Sequence, residues 1–326
     1  MSDEALLSVE NLQLDLVVGK HRFGAVKDVS FTIGRGETFG LVGESGCGKS
    51  ITALALIGLL RHPLGIGGGC IRFKGREIQD LPASEMRKLR GNNISMIFQE
   101  PMTALNPLSP VGRQIAEMFV LHKGATWHEA ERRAVDALAK VRVPAPDRRA
   151  RDYPHQLSGG MRQRVMIAIA LACEPDLLLA DEPTTALDVT VQAEILDLIK
   201  ELSAAQGTAV LMISHDLGLI ANVCARVGVM YAGRLVEMRA AQDVFRSPSH
   251  PYTRGLVASL PLFGARAANG RSRLKEISGV VPAVTSFPDG CRFNPRCYAR
   301  TEICVAQDPD ETALAHGGTV RCHHHA

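Results

Sequence analysis

Hydrophobic and polar positions alternate in the first forty residues, a pattern that predicts β-strands. Apolar residues occupy every second position over 12–16 and again over 29–33. An uninterrupted apolar run at 38–42 is typical of a strand that is buried on both faces. This part of the chain is therefore predicted to form an antiparallel β layer that leads into one buried strand.

The rest of the pattern predicts helices that alternate with short buried strands. Helices are predicted at 49–60, 111–143, 160–173 and 191–205, and strands at 94–98, 177–180, 209–213 and 227–230. The glycine-rich segment 65–69 is predicted to be a loop. Alternation of this kind favours an α/β fold with a mainly parallel sheet.

Changes in the pattern predict three parts of the chain. Residues 1–101 and 158–250 form the α/β core, and residues 102–157 form a helical insertion. The periodicity fades in residues 251–326, which form a small C-terminal extension. Residues 264–275 are basic and are predicted to be a linker.

Charge and composition exclude several classes of protein. The chain has 37 basic and 34 acidic side chains and a formal net charge of +3, which gives no reason to expect a nucleic acid as partner. Its N-terminus is acidic, whereas a secretory signal would be basic. The most apolar runs, at 51–60 and 165–172, are about half of the ~20 residues that cross a bilayer. We therefore expect the chain to stay in the cytosol.

A glycine-rich motif between a predicted strand and a predicted helix indicates a nucleotide phosphate site. Its residues are Gly43, Glu44, Ser45, Gly46, Cys47, Gly48, Lys49 and Ser50, with Ile51 next in the helix. Backbone N–H groups and the helix N-terminus would bind the phosphates of ATP. Lys49 would neutralise the β and γ oxygens, and the Ser50 hydroxyl would bind Mg²⁺. Cys47 is interpreted as a small filler.

Two carboxylates follow the predicted buried strand at 177–180. Asp181 would reach Mg²⁺ directly or through water, and Glu182 would activate the attacking water as a general base. The alternative, that both carboxylates only cap the turn at Pro183, is weak for a pair placed behind such a strand.

A serine and two glycines stand immediately before another predicted helix, where they would form an anion site. The motif consists of Ser158, Gly159, Gly160 and Met161. It resembles the signature loop of ABC-type ATPases, which binds the γ-phosphate of ATP held by the opposite subunit. Because the sequence contains one P-loop and one signature, the resemblance implies a homodimer or a heterodimer.

Other motifs of that family occur in order. Gln99 resembles the Q-loop residue, with a role in catalysis and Mg²⁺ binding; Asp188 resembles the D-loop residue at the dimer contact; and His215 resembles the switch histidine that holds the catalytic geometry. Phe23 is the candidate for stacking on adenine, with His21 a poorer one. A core position in the β layer is the alternative for Phe23.

Longer runs at 99–107, 153–164 and 250–256 resemble ATP-binding subunits of dipeptide and oligopeptide importers, a group that includes nickel importers. The resemblance implies an ABC-type ATPase, with a P-loop core sheet, an antiparallel β layer and a helical subdomain. It also implies ATP-driven peptide uptake at the cytoplasmic face of the inner membrane, with two permeases and an extracytoplasmic substrate-binding protein. A soluble ABC ATPase of DNA repair or translation and an importer of nickel or another small solute are the alternatives.

Half of the eight cysteines lie near the C-terminus. They are Cys291, Cys297, Cys304 and Cys322. Stable disulfides are unusual in the cytosol, and the closely spaced cysteine pairs of structural zinc sites are absent from the sequence. Four thiolates suit an iron–sulfur cluster, and the importer resemblance implies a structural [4Fe-4S] centre. Zinc and free thiols are the alternatives, and residues 323–325, all histidine, are assigned no role.

Overall fold

The computed structural model describes residues 5–185, 187–260 and 277–325, which fall into two compact units. The first unit contains the described residues of Met1–Leu7, Thr32–Thr38 and Arg72–Ile213. The second contains those of Ser8–Phe31, Phe39–Ile71 and Ser214–Ala326. The predicted linker at 264–275 lies outside the described residues.

Strands and helices follow one another along the chain. The strands are β1 (Leu7–Val18), β2 (His21–Ile33), β3 (Thr38–Val42), β4 (Leu64–Phe73), β5 (Arg76–Glu77), β6 (Ile94–Ile97), β7 (Leu177–Asp181), β8 (Ala209–Ser214), β9 (Arg226–Tyr231), β10 (Arg234–Ala240), β11 (Thr312–Ala313) and β12 (Thr319–Val320). The helices are α1 (Lys49–Leu56), α2 (Ala83–Leu89), α3 (Pro101–Ala104), α4 (Val111–Lys123), α5 (Trp127–Lys140), α6 (Pro146–Arg149), α7 (Gly159–Leu171), α8 (Val189–Gln206), α9 (Leu217–Val223), α10 (Ala241–Arg246), α11 (Pro251–Ala258) and α12 (Glu302–Ala306). Short 3₁₀ turns occur at Pro154–Gln156, Val284–Ser286 and Asn294–Arg296. In the part of the chain that is described, no helix is long and apolar enough to cross a membrane.

A parallel ladder forms the centre of the first unit. β6 pairs with β7, and β7 pairs with β8, both in parallel register. Every residue of β7 is buried, which explains why its first four residues, 177–180, are all hydrophobic instead of alternating with polar ones. α4 and α5 pack against each other in the same unit. The carboxyl end of β7 is where Asp181 and Glu182 emerge.

The second unit contains a mixed sheet that the C-terminal extension completes. β3 pairs in parallel with β9, and β9 pairs antiparallel with β10. β12, from the extension, pairs antiparallel with β10 and with β11. In the β layer, β1 lies between β2 and β4. The extension is therefore built onto the sheet that carries the loop after β3.

The predicted elements occur with shifted ends. α1 ends at Leu56 instead of residue 60, and the helix predicted at 111–143 is two helices, because Gly124 ends α4 in a left-handed conformation with φ 65°. Beyond residue 250, where the pattern fades, α11 still forms. The predicted domain boundaries at 101, 157 and 250 stay a prediction.

The prediction of a loop at 65–69 is wrong, because these residues belong to β4. The glycines reflect a close approach between strands rather than a turn. Gly69 has φ 87°, and a Cβ there would lie 2.4 Å from the main-chain oxygen of Asn11 in β1. Glycine at this position therefore meets a packing requirement of a strand.

This packing predicts that Gly69→Ala lowers the free energy of unfolding by about 1–3 kcal/mol, because the left-handed backbone and the contact with Asn11 are both unfavourable for a methyl group. Gly65→Ala is the matched control, since a Cβ at Gly65 would meet no atom of the described residues within 4 Å. Urea denaturation of both variants measures the difference. Equal unfolding midpoints would contradict this explanation of the β4 glycines.

Candidate nucleotide site

The loop between β3 and α1 has a backbone that only glycine adopts readily at three positions. Gly43, Gly46 and Gly48 have φ angles of 155°, 80° and 107°. A Cβ at Gly43 would lie 2.1 Å from the main-chain oxygen of Met230 in β9, and one at Gly48 would lie 2.9 Å from the Met230 side chain. The glycines of the predicted P-loop are therefore needed both for the turn and for the approach of β9.

Lys49 folds back over this loop. It is the first residue of α1, its exposed fraction is 4%, and its Nζ donates hydrogen bonds to the main-chain oxygens of Gly43 (2.7 Å) and Glu44 (3.1 Å). The first turn of α1 receives no side-chain cap among the described residues, as in helix N-termini that bind phosphate. The loop, the N-terminus of α1 and the buried Lys49 ammonium together form a site that suits an anion.

Cys47 lies inside the loop with its sulfur 3.7 Å from Lys49 Nζ. Burial raises the pKa of the Cys47 thiol, and the Lys49 ammonium only partly offsets this. The side chain is thus a neutral thiol that fills space, as the sequence predicts. Ser45 and Gly46 are exposed at the tip of the loop, whereas Ser50 and Ile51 are half-buried in the first turn of α1.

Two further predicted residues lie in the second unit. His215 is exposed between β8 and α9, next to Asp216, whose Oδ1 accepts hydrogen bonds from the first N–H groups of α9. Phe23 is half-buried in β2, with its ring centroid 6.2 Å from that of His21. Their roles at a nucleotide stay predictions.

The first unit holds the predicted general base in a fixed position. Glu182 Oε2 accepts hydrogen bonds from Gln99 Nε2 (2.9 Å) and from Thr185 Oγ1 (3.0 Å). The Glu182 main-chain N–H donates to Ile213 O (3.0 Å), and its φ of 46° is unusual for a residue that is not glycine. Strain of this kind at a carboxylate with an exposed fraction of 9% is typical of a functional position. Sequence reasoning gave no role to Thr185.

The donor atoms predicted for Mg²⁺ suit that ion. Asp181 ends β7 as a carboxylate with an exposed fraction of 5%, Gln99 offers an amide oxygen, and Ser50 offers a hydroxyl. Mg²⁺ prefers hard oxygen ligands of this kind. The residue types present therefore fit Mg²⁺.

The serine of the predicted signature loop caps a helix. Ser158 Oγ accepts a hydrogen bond from Met161 N (3.4 Å) at the start of α7, while Gly159 is exposed. A Cβ at Gly159 would meet the Leu187 side chain at 3.7 Å, an ordinary contact. The helix has 13 residues, so its N-terminal N–H groups carry the partial positive charge of a full helix dipole. An anion brought by another molecule would be bound favourably there.

The predicted D-loop residue caps the next helix. Asp188 is exposed, and its Oδ1 accepts a hydrogen bond from Val191 N (3.0 Å) at the start of α8. The D-loop resemblance covers residues 186–188, of which Ala186 lies outside the described residues. An exposed acidic cap is available for a contact with another subunit, which stays a prediction.

Sequence reasoning missed the residues that hold Glu44 from the C-terminal extension. Arg296 donates two hydrogen bonds to the Glu44 carboxylate, and Tyr252 Oη accepts one from the Glu44 main-chain N–H. Tyr252 lies in the run 250–256, which marked the importer resemblance but suggested no contact. No sequence signal pointed to Arg296, which is 252 positions from Glu44.

The four C-terminal cysteines line one small cavity together with His250 and Phe293. Burial, assisted by the three other cysteines, raises the pKa of the Cys291 thiol to about 12. His250 Nδ1 accepts a hydrogen bond from Tyr252 N (3.0 Å), and its buried Nε2 has no hydrogen-bond partner within the described residues. In the described parts of the chain, no group of three or more His, Cys, Asp or Glu side chains is arranged to hold a metal ion.

Two family profiles match the sequence. The family described as "ABC transporter" matches residues 26–185, and the family described as "Oligopeptide/dipeptide transporter, C-terminal region" matches residues 236–304. Among solved structures, the ATP-binding cassette MJ0796 in a dimeric post-hydrolysis state bound to ADP and Pi is similar, with a TM-score of 0.65 and 29% identity. The likeness covers 72% of this chain and 98% of that one. The predicted α/β ABC-type ATPase fold is confirmed.

Curated relatives are similar over nearly the whole chain. The dipeptide transport ATP-binding protein DppD of Haemophilus influenzae is 46% identical over 321 residues, which are 98% of this chain and 95% of that protein. The oligopeptide transport ATP-binding protein AppD of Bacillus subtilis is 46% identical over 318 residues, which are 97% of this chain and 96% of that protein. Fold, motif geometry and these matches together lead to one assignment: the chain belongs to the ABC transporter family, among the ATP-binding proteins of dipeptide and oligopeptide transport.

Proposed function

We propose that this chain is the ATP-hydrolysing subunit of an ABC importer that takes up dipeptides or oligopeptides. The observation that carries the proposal is the geometry at Glu182, a buried carboxylate held by Gln99 and Thr185 at the end of β7. A carboxylate fixed in this way accepts the proton of the water that attacks the γ-phosphate, so that ADP and phosphate are formed. His215 would hold that geometry.

The nucleotide itself is assigned to the loop 43–51. Backbone N–H groups and the start of α1 would bind the phosphates, and Lys49 would exchange its hydrogen bonds to Gly43 and Glu44 for phosphate oxygens. Ser50, Gln99 and Asp181 would hold Mg²⁺, which neutralises charge on the phosphates when bound. Phe23 is proposed to stack on adenine.

A second ATP-binding subunit is proposed as partner. At the N-terminus of α7, the side-chain cap found among the described residues is Ser158, whose Oγ accepts a hydrogen bond from Met161 N. This supports binding of the γ-phosphate of ATP held by the opposite subunit. Asp188 would contribute to the same subunit contact, in a heterodimer or a homodimer. The similar cassette MJ0796 is itself dimeric.

Exposed apolar side chains beside Gln99 support contact with membrane permeases. Phe98, Met102 and Leu108 have exposed fractions of 39%, 57% and 87%. They lie on the segment from β6 to α4, in a chain whose described helices include none that could span a membrane. We propose that two permeases cover this surface, which places the subunit at the cytoplasmic face of the inner membrane. An extracytoplasmic binding protein would deliver the peptide.

We further propose that the four C-terminal cysteines hold a [4Fe-4S] cluster. Four thiols around one cavity are the donor set of such a cluster, and the unpartnered His250 Nε2 would donate a hydrogen bond to a sulfur atom there. Zinc held by the same thiols and four free thiols are the alternatives. The role of the cluster would be to stabilise the extension.

Glu182→Gln is expected to reduce ATP hydrolysis by about 10²–10⁴-fold, because the amide cannot accept the proton of the attacking water. ATP binding should persist in this variant. The matched control is Glu201→Gln, which removes an exposed carboxylate on α8 that pairs with Arg142 and should leave hydrolysis unchanged. Phosphate release and nucleotide binding are measured on the assembled transporter. Hydrolysis at the original rate after Glu182→Gln would refute the assignment.

Transport distinguishes the importer from the alternatives. The chain is co-expressed with its permeases, reconstituted in liposomes with the binding protein, and supplied with ATP. Peptide uptake and peptide-stimulated hydrolysis are expected, and the Lys49→Ala transporter should show neither, because the phosphates lose their buried cation. Stimulation by nickel or another solute alone, or by nucleic acid, would contradict the peptide assignment.

Anaerobically purified protein is expected to contain about four iron and about four sulfide ions per chain, with visible absorption. Cys304→Ser should lose both the iron and the absorption. Cys224→Ser is the control, because Cys224 is buried in the same unit but does not line the cavity. Stoichiometric zinc, or four free thiols without iron, would contradict the cluster.

A further inference from the structure

Arg296 of the C-terminal extension binds the side chain of Glu44, the second residue of the loop 43–50, which is called the phosphate loop below. Its Nη1 donates to Glu44 Oε2 (2.7 Å) and its Nη2 donates to Glu44 Oε1 (3.0 Å), which is the bidentate geometry of a strong arginine–carboxylate pair. The Arg296 side chain has an exposed fraction of 4% and the Glu44 side chain one of 32%, so water screens this pair less than it screens a pair of fully exposed side chains. The two hydrogen bonds define the orientation of the Glu44 carboxylate relative to the guanidinium.

The remaining donors of Arg296 are also satisfied by the extension. Nε donates to Ser278 O (2.9 Å) and Nη2 donates to Ile277 O (3.1 Å), while the guanidinium lies 5.7 Å from the ring centroid of Tyr231. Burial alone would lower the pKa of Arg296, but the hydrogen bonds to Glu44 and Tyr231 outweigh it and raise that pKa. The guanidinium is charged and has one orientation, which a flexible lysine would not reproduce.

Tyr252 holds the main chain of the same residue. The Glu44 N–H donates to Tyr252 Oη (2.9 Å), and Tyr252 is fully buried against Tyr231 and Phe293. The extension thus contacts Glu44 at both its side chain and its backbone. A fully buried ring cannot move away from this contact without disturbing the packing around it.

The position of Glu44 determines the shape of the loop. It stands directly after Gly43, and its main-chain oxygen accepts a hydrogen bond from Lys49 Nζ (3.1 Å). The N–H of Cys47 also donates to Glu44 O, at 3.3 Å. A shift of Glu44 would therefore displace both the loop amides and the Lys49 ammonium, the groups that bind phosphate.

We propose that Arg296 and Tyr252 are positioning residues for the phosphate loop, so that the C-terminal extension holds this loop in the conformation that binds ATP. The inference rests on the proposed ATP site at 43–51. A loop that is already ordered loses little conformational entropy when the nucleotide binds. Loss of the clamp, by which we mean the contacts of Arg296 and Tyr252 with Glu44, therefore weakens ATP binding. A role in stability alone would lower the unfolding midpoint and leave affinity unchanged.

The first test compares two buried arginines of the second unit in the full-length chain. Arg296→Gln removes the ion pair with Glu44. The control, Arg239→Gln, removes a guanidinium with an exposed fraction of 5% that donates to Ser247 O and lies 3.8 Å from the buried Glu237 carboxylate, and that has no contact with residues 43–50 in the described structure. The Kd for Mg·ATP is measured with a fluorescent ATP analogue well below the unfolding temperature. We expect Arg296→Gln to raise Kd about 10-fold and Arg239→Gln to leave it within about 2-fold. Arg296→Lys should restore affinity only in part.

The second test changes one oxygen atom and keeps the fold of the extension. Tyr252→Phe removes the acceptor of the Glu44 N–H and should raise Kd several-fold. In a double-mutant cycle, Glu44→Gln and Arg296→Gln should be strongly non-additive in Kd. If Arg296→Gln does not fold, Tyr252→Phe decides: an unchanged Kd overturns the inference.

These outcomes separate the inference from the proposed function. If the original chain does not bind Mg·ATP, or if Lys49→Ala binds it equally well, the proposed ATP site fails. If the original chain binds Mg·ATP through Lys49 and the Arg296 and Tyr252 variants bind it as tightly, only the clamp fails. A lower unfolding midpoint without a change in Kd would likewise assign Arg296 a structural role alone.

Discussion

The close approach of β9 to the loop after β3 is the constraint on which the nucleotide site depends. A Cβ at Gly43 would lie only 2.1 Å from the main-chain oxygen of Met230. The N–H of Gly233 donates a hydrogen bond to Cys47 O at 2.8 Å. The loop is therefore pressed against the end of β9 and can only turn through glycine. Lys49 then closes over it by bonding Gly43 and Glu44. A phosphate would replace these internal acceptors without any new secondary structure.

The first unit holds a buried carboxylate, Glu182, in one position. The parallel pairing of β7 with β6 and β8 makes β7 fully buried, so Glu182 at its end has little access to bulk water. Two hydrogen bonds, from Gln99 and Thr185, replace that water and hold the carboxylate. Because Gln99 contacts Glu182 and follows the exposed Phe98 directly, a permease bound at the exposed apolar side chains would lie close to the proposed general base.

Motifs with fixed local spacing were predictable from the sequence, whereas contacts between distant segments were not. The P-loop and the two carboxylates at the end of β7 each depend on a few neighbouring residues, and the structure places them in the predicted positions between strand and helix and at a strand end. The helix caps that Ser158 and Asp188 form were not predicted. The glycines of 65–69 misled the prediction because a turn and a close strand contact select the same residue. Arg296 carries no local motif, since its meaning comes only from a carboxylate that folding brings to it.

The extension thus contacts both the sheet and the phosphate loop of the second unit. Its strand β12 pairs with β10, its cysteines surround one cavity, and Arg296 and Tyr252 reach the phosphate loop. The most direct measurement of this account is hydrogen–deuterium exchange of the amides of 43–50 in the nucleotide-free full-length chain and in Arg296→Gln. We expect faster exchange in this loop for the variant, with the strands of the first unit unaffected. Equal protection of the loop in both proteins would contradict it.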